Sequence, residues 1–185
     1  NLNDLEKNLV PLASRDALKA MVTTINTNAQ TAAEISAQLL KLPAAADVDT
    51  AAEEAQVSDA RAAYDKLTDA QKTWVSSAAL QHLTAVESDI RTNLTIAEAF
   101  ADAVAALPGN DQLSKTAAKQ VEMVDAAYKK MSSAQKYRVS AATLDVLANK
   151  QAAVAANEKA AADLQKSVAA LPKGADIDTD AEVQE

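Results

Sequence analysis

The 185-residue chain contains no cysteine, 2 glycines, 4 prolines and only 3% aromatic residues. Without cysteine it forms neither disulfides nor thiolate metal sites, although this absence does not decide the cellular compartment. The scarcity of aromatic residues and glycine, beside abundant Ala, Leu, Gln, Glu and Lys, disfavours a sheet-rich fold. Hydrophobic residues make up 49% of the chain, enough to build a core, so we expect a folded all-α protein.

Basic residues are also fewer than acidic residues. Eighteen Lys and Arg stand against 26 Asp and Glu, which leaves a net charge of -8. Phosphate backbones and anionic lipid surfaces are repelled by such a chain, so we expect no nucleic-acid partner. No apolar run approaches the roughly 18 residues of a membrane span, and the first residues lack the order of a signal peptide. We therefore expect no membrane insertion.

An internal repeat is the strongest signal in the sequence. The dipeptide Leu-Pro recurs at intervals of 65 and 64 residues, at Leu42-Pro43, Leu107-Pro108 and Leu171-Pro172. Residues 57–107, shifted by 64 onto 121–171, give 19 identities in 51 positions. The period divides the chain into four parts: a partial first repeat with a short and a long helix (1–42), a second repeat (43–107), a third repeat (108–171) and the start of a fourth (172–185).

Each repeat is predicted to contain a long helix that ends at its proline. Counted from Val75, apolar residues stand at offsets of 8, 11, 15, 22, 25, 29 and 32: Leu83, Val86, Ile90, Ala97, Phe100, Val104 and Leu107. This spacing is one stripe of a helix of about 30 residues, or about 45 Å. The proline ends the helix, and Gly109 follows the stop as a C-terminal glycine commonly does.

Capping signals predict where the shorter helices begin. One helix is expected from about Ala51 to Lys66 and its counterpart from Lys115 to Lys130, the latter capped by Ser114. A second signal predicts a short helix that ends near Val75 or Val139. The capping boxes are Thr50 to Glu53, Thr68 to Gln71, Ser132 to Gln135 and Thr179 to Glu182.

The difference in helix length predicts the architecture. Because the long helix is about twice the length of the next one, its first half can pack in one bundle and its second half in the following bundle. We therefore expect tandem antiparallel three-helix bundles that share long continuous helices, as in a spectrin-like rod. One complete bundle is expected from roughly Asn93 to Asn157, flanked by partial ones.

Residues able to perform catalysis are scarce. The single histidine, His82, is replaced by Ala17 and Val146 in the other copies, so we interpret it as a helix-surface or boundary residue. The chain also lacks a glycine-rich phosphate loop and a nucleophile elbow. We expect neither an enzyme nor a bound cofactor.

Acidic residues cluster in the loops that follow the long helices. Asn110 and Asp111 occupy the middle loop, and the candidate calcium ligands of the other two are Asp47, Asp49, Asp176 and Asp178. Carboxylates suit calcium, but these loops lack the ligand spacing of an EF-hand. Asp before a helix also caps backbone donors and complements the helix dipole. Capping is our preferred interpretation, with calcium as the alternative.

Other recurring residues are interpreted as structural. Asn28, Asn93 and Asn157 share a seam position, where a polar side chain fixes helix register. Tyr64 and Tyr128 lie on the apolar stripe, so we expect core residues whose hydroxyls reach an edge partner. Leu107 and Pro108 end a long helix.

Trp74 differs, because Leu9 and Arg138 take its place in the other copies. A half-buried boundary residue is our favoured interpretation, and an exposed contact residue is the alternative.

The stretch VSDARAAYDKLTDAQKTWVSSAALQHL, echoed by VEMVDAAYKKMSSAQKYRVSAATLDVL, resembles the helical repeats of large surface proteins of Gram-positive bacteria. These include adhesins, wall-anchored enzymes and surface-layer (S-layer) proteins. The resemblance is carried by Tyr64, Leu67-Thr68, Gln71-Lys72 and Val75, in that order. It implies a secreted module that acts as a spacer or assembly element, at the cell surface or in the cell wall, and brings no catalytic residues.

We therefore expect a non-catalytic segment that spaces, stiffens or assembles a large extracellular bacterial protein. Its expected partners are neighbouring repeats of the same polypeptide, with self-assembly as a further option. One alternative is an adhesin-type binding module for a host protein, a cell-wall polymer or another copy of itself. Another is an accessory segment of a secreted hydrolase.

Overall fold

A computed structural model of the chain describes residues 9–171. Two short 3₁₀ helices, Ala45–Asp47 and Asn110–Gln112, interrupt the series of α-helices. The α-helices are α1 (Leu12–Leu39), α2 (Ala51–Asp65), α3 (Asp69–Lys72), α4 (Ser77–Ala105), α5 (Lys115–Lys130), α6 (Ser133–Tyr137) and α7 (Ala141–Ala169). No strand occurs between residues 9 and 171, so the all-α prediction is confirmed for this part. The expected fourth repeat, with its capping box, lies outside the described residues.

Local side-chain contacts start the helices where the capping signals predicted them. The Thr50 hydroxyl accepts a hydrogen bond from the Glu53 backbone N–H at 3.3 Å, and the Glu53 carboxylate accepts one from the Thr50 N–H at 3.0 Å. Both contacts satisfy backbone donors that the first turn of a helix leaves free. Equivalent pairs of contacts begin α3, between Thr68 and Gln71, and α6, between Ser132 and Gln135. At the start of α5 the Ser114 hydroxyl accepts the Ala117 N–H at 3.2 Å.

The long helix α4 continues without a break through Ile90. Its 29 residues span about 43 Å. It begins two residues later than the apolar stripe does, because the Ser76 hydroxyl caps it by accepting the Ala79 N–H at 3.1 Å. After it, Gly109 has a φ of -55°, so this glycine is not the left-handed cap that its position suggested.

The described chain divides into two compact units, and the division falls inside α4, between Leu94 and Thr95. Unit 1 extends through Leu94 and includes Ser132–Tyr137. Unit 2 comprises Thr95–Met131 and continues from Arg138. The repeats defined from the sequence end at the prolines, whereas the boundary between the two units lies in the middle of a helix. The two differ because one long helix supplies side chains to both units.

Unit 1 contains an apolar cluster built from three helices. The buried members are Leu39 from α1, Val57 and Ala60 from α2, and Ala79, Leu83 and Val86 from α4, joined by Ala45 and Val48 from the intervening loop. The second half of α1 therefore supplies one of the three helices of this cluster.

Unit 2 contains the second cluster, with the same make-up. Its buried members are Ala97, Phe100 and Val104 from α4, Val121 from α5, Leu147 and Val154 from α7, and the loop residues Met131 and Val139. Leu107 and Tyr128 pack against it. The apolar stripe predicted from the sequence thus supplies the buried face of α4 in both units. None of the helices within residues 9–171 is long and apolar enough to cross a membrane.

Candidate functional site

His82 lies on α4, half buried, with its Nε2 atom 3.2 Å from the carbonyl oxygen of Leu42. When Nε2 carries the proton, the ring donates to a carbonyl that the end of α1 leaves without a helical partner. The neighbour of this histidine is therefore a backbone carbonyl at a helix terminus. This is the contact of a boundary residue, the interpretation favoured from the sequence.

A lysine makes the corresponding contact in unit 2. Lys150 on α7 donates from its Nζ to the carbonyl oxygen of Pro108 at 2.6 Å. Lys150 stands at an apolar stripe position, where the repeat has Met21 and Val86 in the other copies. Its long side chain reaches from that position to the residues just after α4. A cation is favourable there because free carbonyls at the end of a helix carry partial negative charge.

The acidic loop before α2 functions as a cap. The Glu53 carboxylate accepts the backbone N–H of Asp49 at 3.1 Å and the hydroxyl of Thr50 at 2.7 Å. The Thr50 hydroxyl, and after it the two backbone N–H groups, lower the pKa of Glu53. Asp47 is exposed on the 3₁₀ helix. The hydrogen bonds of this loop therefore converge on a helix start.

The calcium alternative would make Asp47 and Asp49 ligands of a metal ion. Across residues 9–171, no group of three or more His, Asp or Glu side chains lies close enough together to hold a metal ion. Asn110 and Asp111 are exposed on the second 3₁₀ helix. Asp176 and Asp178, the other two predicted ligands, fall outside the described residues.

Asn93 on α4 binds the short helix α6 through a side-chain hydrogen bond. Its Oδ1 accepts a hydrogen bond from Gln135 Nε2 at 3.3 Å, while Gln135 Oε1 accepts the Ser132 N–H at 3.0 Å. Beside it, α6 lies against the 3₁₀ helix Ala45–Asp47, and Ala134 is fully buried. One glutamine thus caps its own helix and holds it to the seam asparagine.

The other two seam asparagines occupy different surroundings. Asn28 is half buried on α1, the helix against which α3 packs. Asn157 is exposed on α7 and lines an open groove of about 400 Å³, together with Leu113, Val154 and Ala161. Asn93 thus makes a hydrogen bond to another helix, as a residue that fixes helix register would. Asn157 instead faces an open groove.

Both repeated tyrosines pack against the clusters. The Tyr64 ring lies 5.5 Å from the Arg61 guanidinium and 5.6 Å from the Lys72 ammonium, measured to the ring centroid, so two cations face its π system. The ring of Tyr128 lies 5.4 Å from that of Phe100, centroid to centroid, at an interplanar angle of 33°. Each ring extends the apolar cluster of its own unit.

Two further tertiary contacts were not predicted from the sequence. Arg61 on α2 binds Glu87 on α4, and Ser36 on α1 accepts a hydrogen bond from the Ser76 N–H at 3.0 Å. The repeat gave no signal for the charged pair, because the equivalent positions hold Asp125 and Gln151. A search for charges of opposite sign on helices expected to be neighbours could have found it.

Comparisons of the chain with known protein families, with curated proteins and with solved structures find no match. The repeat and the contacts within each unit are therefore the observations that bear on function.

Proposed function

We propose that this chain is a non-catalytic structural repeat segment that spaces, stiffens or assembles a large extracellular bacterial surface protein. The observation that carries the proposal is α4, one unbroken helix whose side chains enter two separate apolar clusters. In this interpretation the units are tandem antiparallel three-helix bundles that share long helices. Neighbouring repeats of the same polypeptide are then the principal partners.

The physical basis is the resistance of a shared helix to bending. A bend within α4 would break backbone hydrogen bonds of this helix. Arrays in which each repeat contacts only its neighbours add length in regular steps. Such a segment has use for repeated apolar stripes and caps, and no need of a catalytic group.

Small-angle X-ray scattering of the purified chain tests the extended arrangement. A compact globule of this length has a radius of gyration of about 16 Å. We expect a clearly larger value and an elongated pair-distance distribution. A radius close to that of a globule would contradict the proposal.

A matched pair of variants at the boundary tests the role of α4. Thr95→Pro removes a backbone donor in the middle of the helix, whereas Thr95→Ala leaves the helix intact. We expect the proline variant to show a broader distribution of particle lengths, while the alanine variant keeps the parent profile. Circular dichroism of both proteins verifies that the remaining helices are folded.

The extracellular placement is supported by the resemblance of residues 57–83 and 121–147 to Gram-positive surface repeats. Fractionation of the source bacterium, with antibodies raised against the chain, tests it. Detection in the cell-wall or medium fraction is the expected result. Detection confined to the cytosol would contradict this part of the proposal.

A binding module is the second candidate, and the exposure of Trp74 favours it. This residue is 54% exposed and lies two residues after the end of α3. Since it is the only tryptophan in the chain, its fluorescence reports on a ligand without labelling. Titration with solubilised cell-wall polymer would shift its emission saturably if this candidate is right, and Trp74→Ala would weaken pelleting with intact walls. An unchanged emission spectrum and unchanged pelleting would rule out cell-wall binding through Trp74.

A further inference from the structure

We propose that the second half of α7 is a docking surface for a further copy of the repeat, the copy that residues 172–185 open. The inference rests on the proposed function and names the partner of one particular surface. That surface consists of Leu164, Val168 and Leu171, together with the groove around Asn157.

The first observation is a difference in exposure between equivalent residues. Val168 is 58% exposed, whereas Val104, at the same position of the preceding copy, is 2% exposed. Leu164 and Leu171 are likewise exposed, whereas Phe100 is buried and Leu107 is partly buried. The apolar stripe is present in α7, and nothing described in unit 2 covers its second half.

The chain itself shows what covers this stripe elsewhere. In unit 2, Phe100 and Val104 belong to a cluster with Val121 and Tyr128 of the next helix and with Leu147 of the next long helix. In unit 1, Leu39 is buried with the equivalent residues of α2 and α4. The surface on α7 therefore matches a connecting helix followed by the first half of a long helix.

The groove supplies the second observation. At the equivalent position of unit 1, Asn93 binds Gln135 of α6, and Ala134 is fully buried beside it. In unit 2 the groove beside Asn157 is about 400 Å³ in volume and is lined by Leu113, Val154 and Ala161. A short helix with the pattern Ser/Thr-x-Ala-Gln-Lys, docked as α6 is in unit 1, would bring its glutamine to Asn157 beside this groove.

The sequence that follows α7 identifies the occupant. Pro172 corresponds to Pro43 and Pro108, and Thr179 with Glu182 repeats the capping box of Thr50 with Glu53. These residues are the opening of the segment that covers the equivalent surface in both earlier copies. We therefore assign the surface to that copy in the same polypeptide, because it is tethered beside α7 and its effective concentration is high.

A second molecule is the competing occupant. The first half of α1 also exposes repeat positions that are buried or partly buried in α4, namely Leu18, Met21 and Ile25. With this occupant, the start of one molecule meets the end of another in a head-to-tail contact that continues into open chains. The two occupants predict different effects of protein concentration on how well this surface of α7 is protected.

Thiol accessibility tests the proposal, since the chain has no cysteine of its own. Val168→Cys is placed in two proteins: the 185-residue chain, and a longer chain in which a copy of residues 108–185 follows residue 171. We expect rapid labelling in the first protein and at least about tenfold slower labelling in the second. Lys159→Cys, on the exposed side of α7, is the control that labels rapidly in both.

Val104→Cys is the buried reference. Its labelling rate distinguishes a failure of the proposed function from a failure of the docking surface. Rapid labelling of Val104→Cys in the 185-residue chain would contradict the clusters and with them the proposed function. Slow labelling there, with equally rapid labelling of Val168→Cys in both proteins, would overturn only the docking surface. Leu164→Cys provides an independent position for the same comparison.

Protein concentration decides between the two occupants. Protection of Val168→Cys in the 185-residue chain that rises with concentration, accompanied by larger species in sedimentation velocity, would overturn the assignment in favour of a second molecule. We expect labelling of the 185-residue chain to be independent of concentration.

Discussion

Arg61 on α2 holds Glu87 on α4 through two hydrogen bonds, from Nε at 2.7 Å and from Nη2 at 2.6 Å. Both side chains are 30% exposed, so the pair is partly shielded from solvent. The contact with Glu87 raises the pKa of Arg61. Unit 2 has Asp125 and Gln151 at these positions, so two units with the same arrangement of apolar residues differ in how their helices are joined.

A double-mutant cycle with Arg61→Gln and Glu87→Gln should measure this pair. We expect a coupling of about 1 kcal/mol by urea denaturation, because the bidentate geometry strengthens a pair that solvent still screens in part. The control is Lys129 with Asp125, an i, i+4 pair within α5 whose lysine is largely exposed, where we expect about 0.3 kcal/mol. Equal couplings in the two cycles would contradict the importance of the tertiary pair.

Leu83 and Leu18 occupy the same repeat position with opposite exposure, 0% and 62%. Leu83→Ala should lower the free energy of unfolding by about 2–5 kcal/mol, because it leaves a cavity in the cluster of unit 1. Leu18→Ala should cost less than about 0.5 kcal/mol, since its side chain is exposed. Urea denaturation followed by circular dichroism compares the two. Similar losses would show that Leu18 is covered in solution.

Ser36 joins the end of α1 to the start of α4. Its hydroxyl donates to the Ala32 carbonyl at 2.7 Å and accepts the Ser76 N–H at 3.0 Å. Ser36→Ala should lower the free energy of unfolding by about 1–2 kcal/mol, because the Ser76 N–H loses its acceptor in a partly buried site.

Thr23→Ala is the matched control for Ser36→Ala. Thr23 makes a similar bond to the carbonyl four residues earlier, but on the exposed surface of α1. Thermal melts of both variants should show a fall in melting temperature for Ser36→Ala alone. A fall of the same size in Thr23→Ala would attribute the effect to local helix propensity.

Glu53 should make stability depend on acid pH. Its pKa is lowered in the folded chain, chiefly by the Thr50 hydroxyl, so its ionised form stabilises the fold at neutral pH. This contribution is present above the pKa of the unfolded chain and is lost as the pH falls through the lower, folded value. Glu53→Gln should therefore melt below the parent at pH 7, with the difference shrinking between about pH 5 and pH 3.

Glu98→Gln is the control for removing one exposed carboxylate from a helix. Melting temperatures of the three proteins from pH 7 to pH 3 complete the comparison. A difference between the parent and Glu53→Gln that stayed constant over this range would rule out the ionised carboxylate as its source.

The helices and their starts could be predicted because they depend on neighbours in sequence. Thr50 and Glu53, or Thr68 and Gln71, lie three residues apart, so their contacts form as soon as the backbone turns. Likewise the apolar positions of α4 repeat at helical spacing, which identified its buried face before any partner was known. The cap at Ser76, which begins α4, was not among the capping signals recognised in the sequence.

The contacts of the candidate site were harder to predict. Arg61 and Glu87 lie 26 residues apart, and His82 lies 40 residues from Leu42. The rotation of each helix about its axis decides which of its polar residues meet, and the apolar stripe specifies that rotation only coarsely. The role of Lys150 was missed for the same reason, since a lysine at a stripe position gives no sign of the carbonyl it reaches.

The amino-acid order alone determines that the chain is helical, where its caps lie and which face of each helix is apolar, because these properties depend on residues within one or two turns. Folding decides the rest. Val104 and Val168 share a side chain and a repeat position, yet one is buried and the other exposed. Burial requires a partner helix on the opposite side of the contact, and the presence of that partner is a property of the assembled chain rather than of the valine and its neighbours.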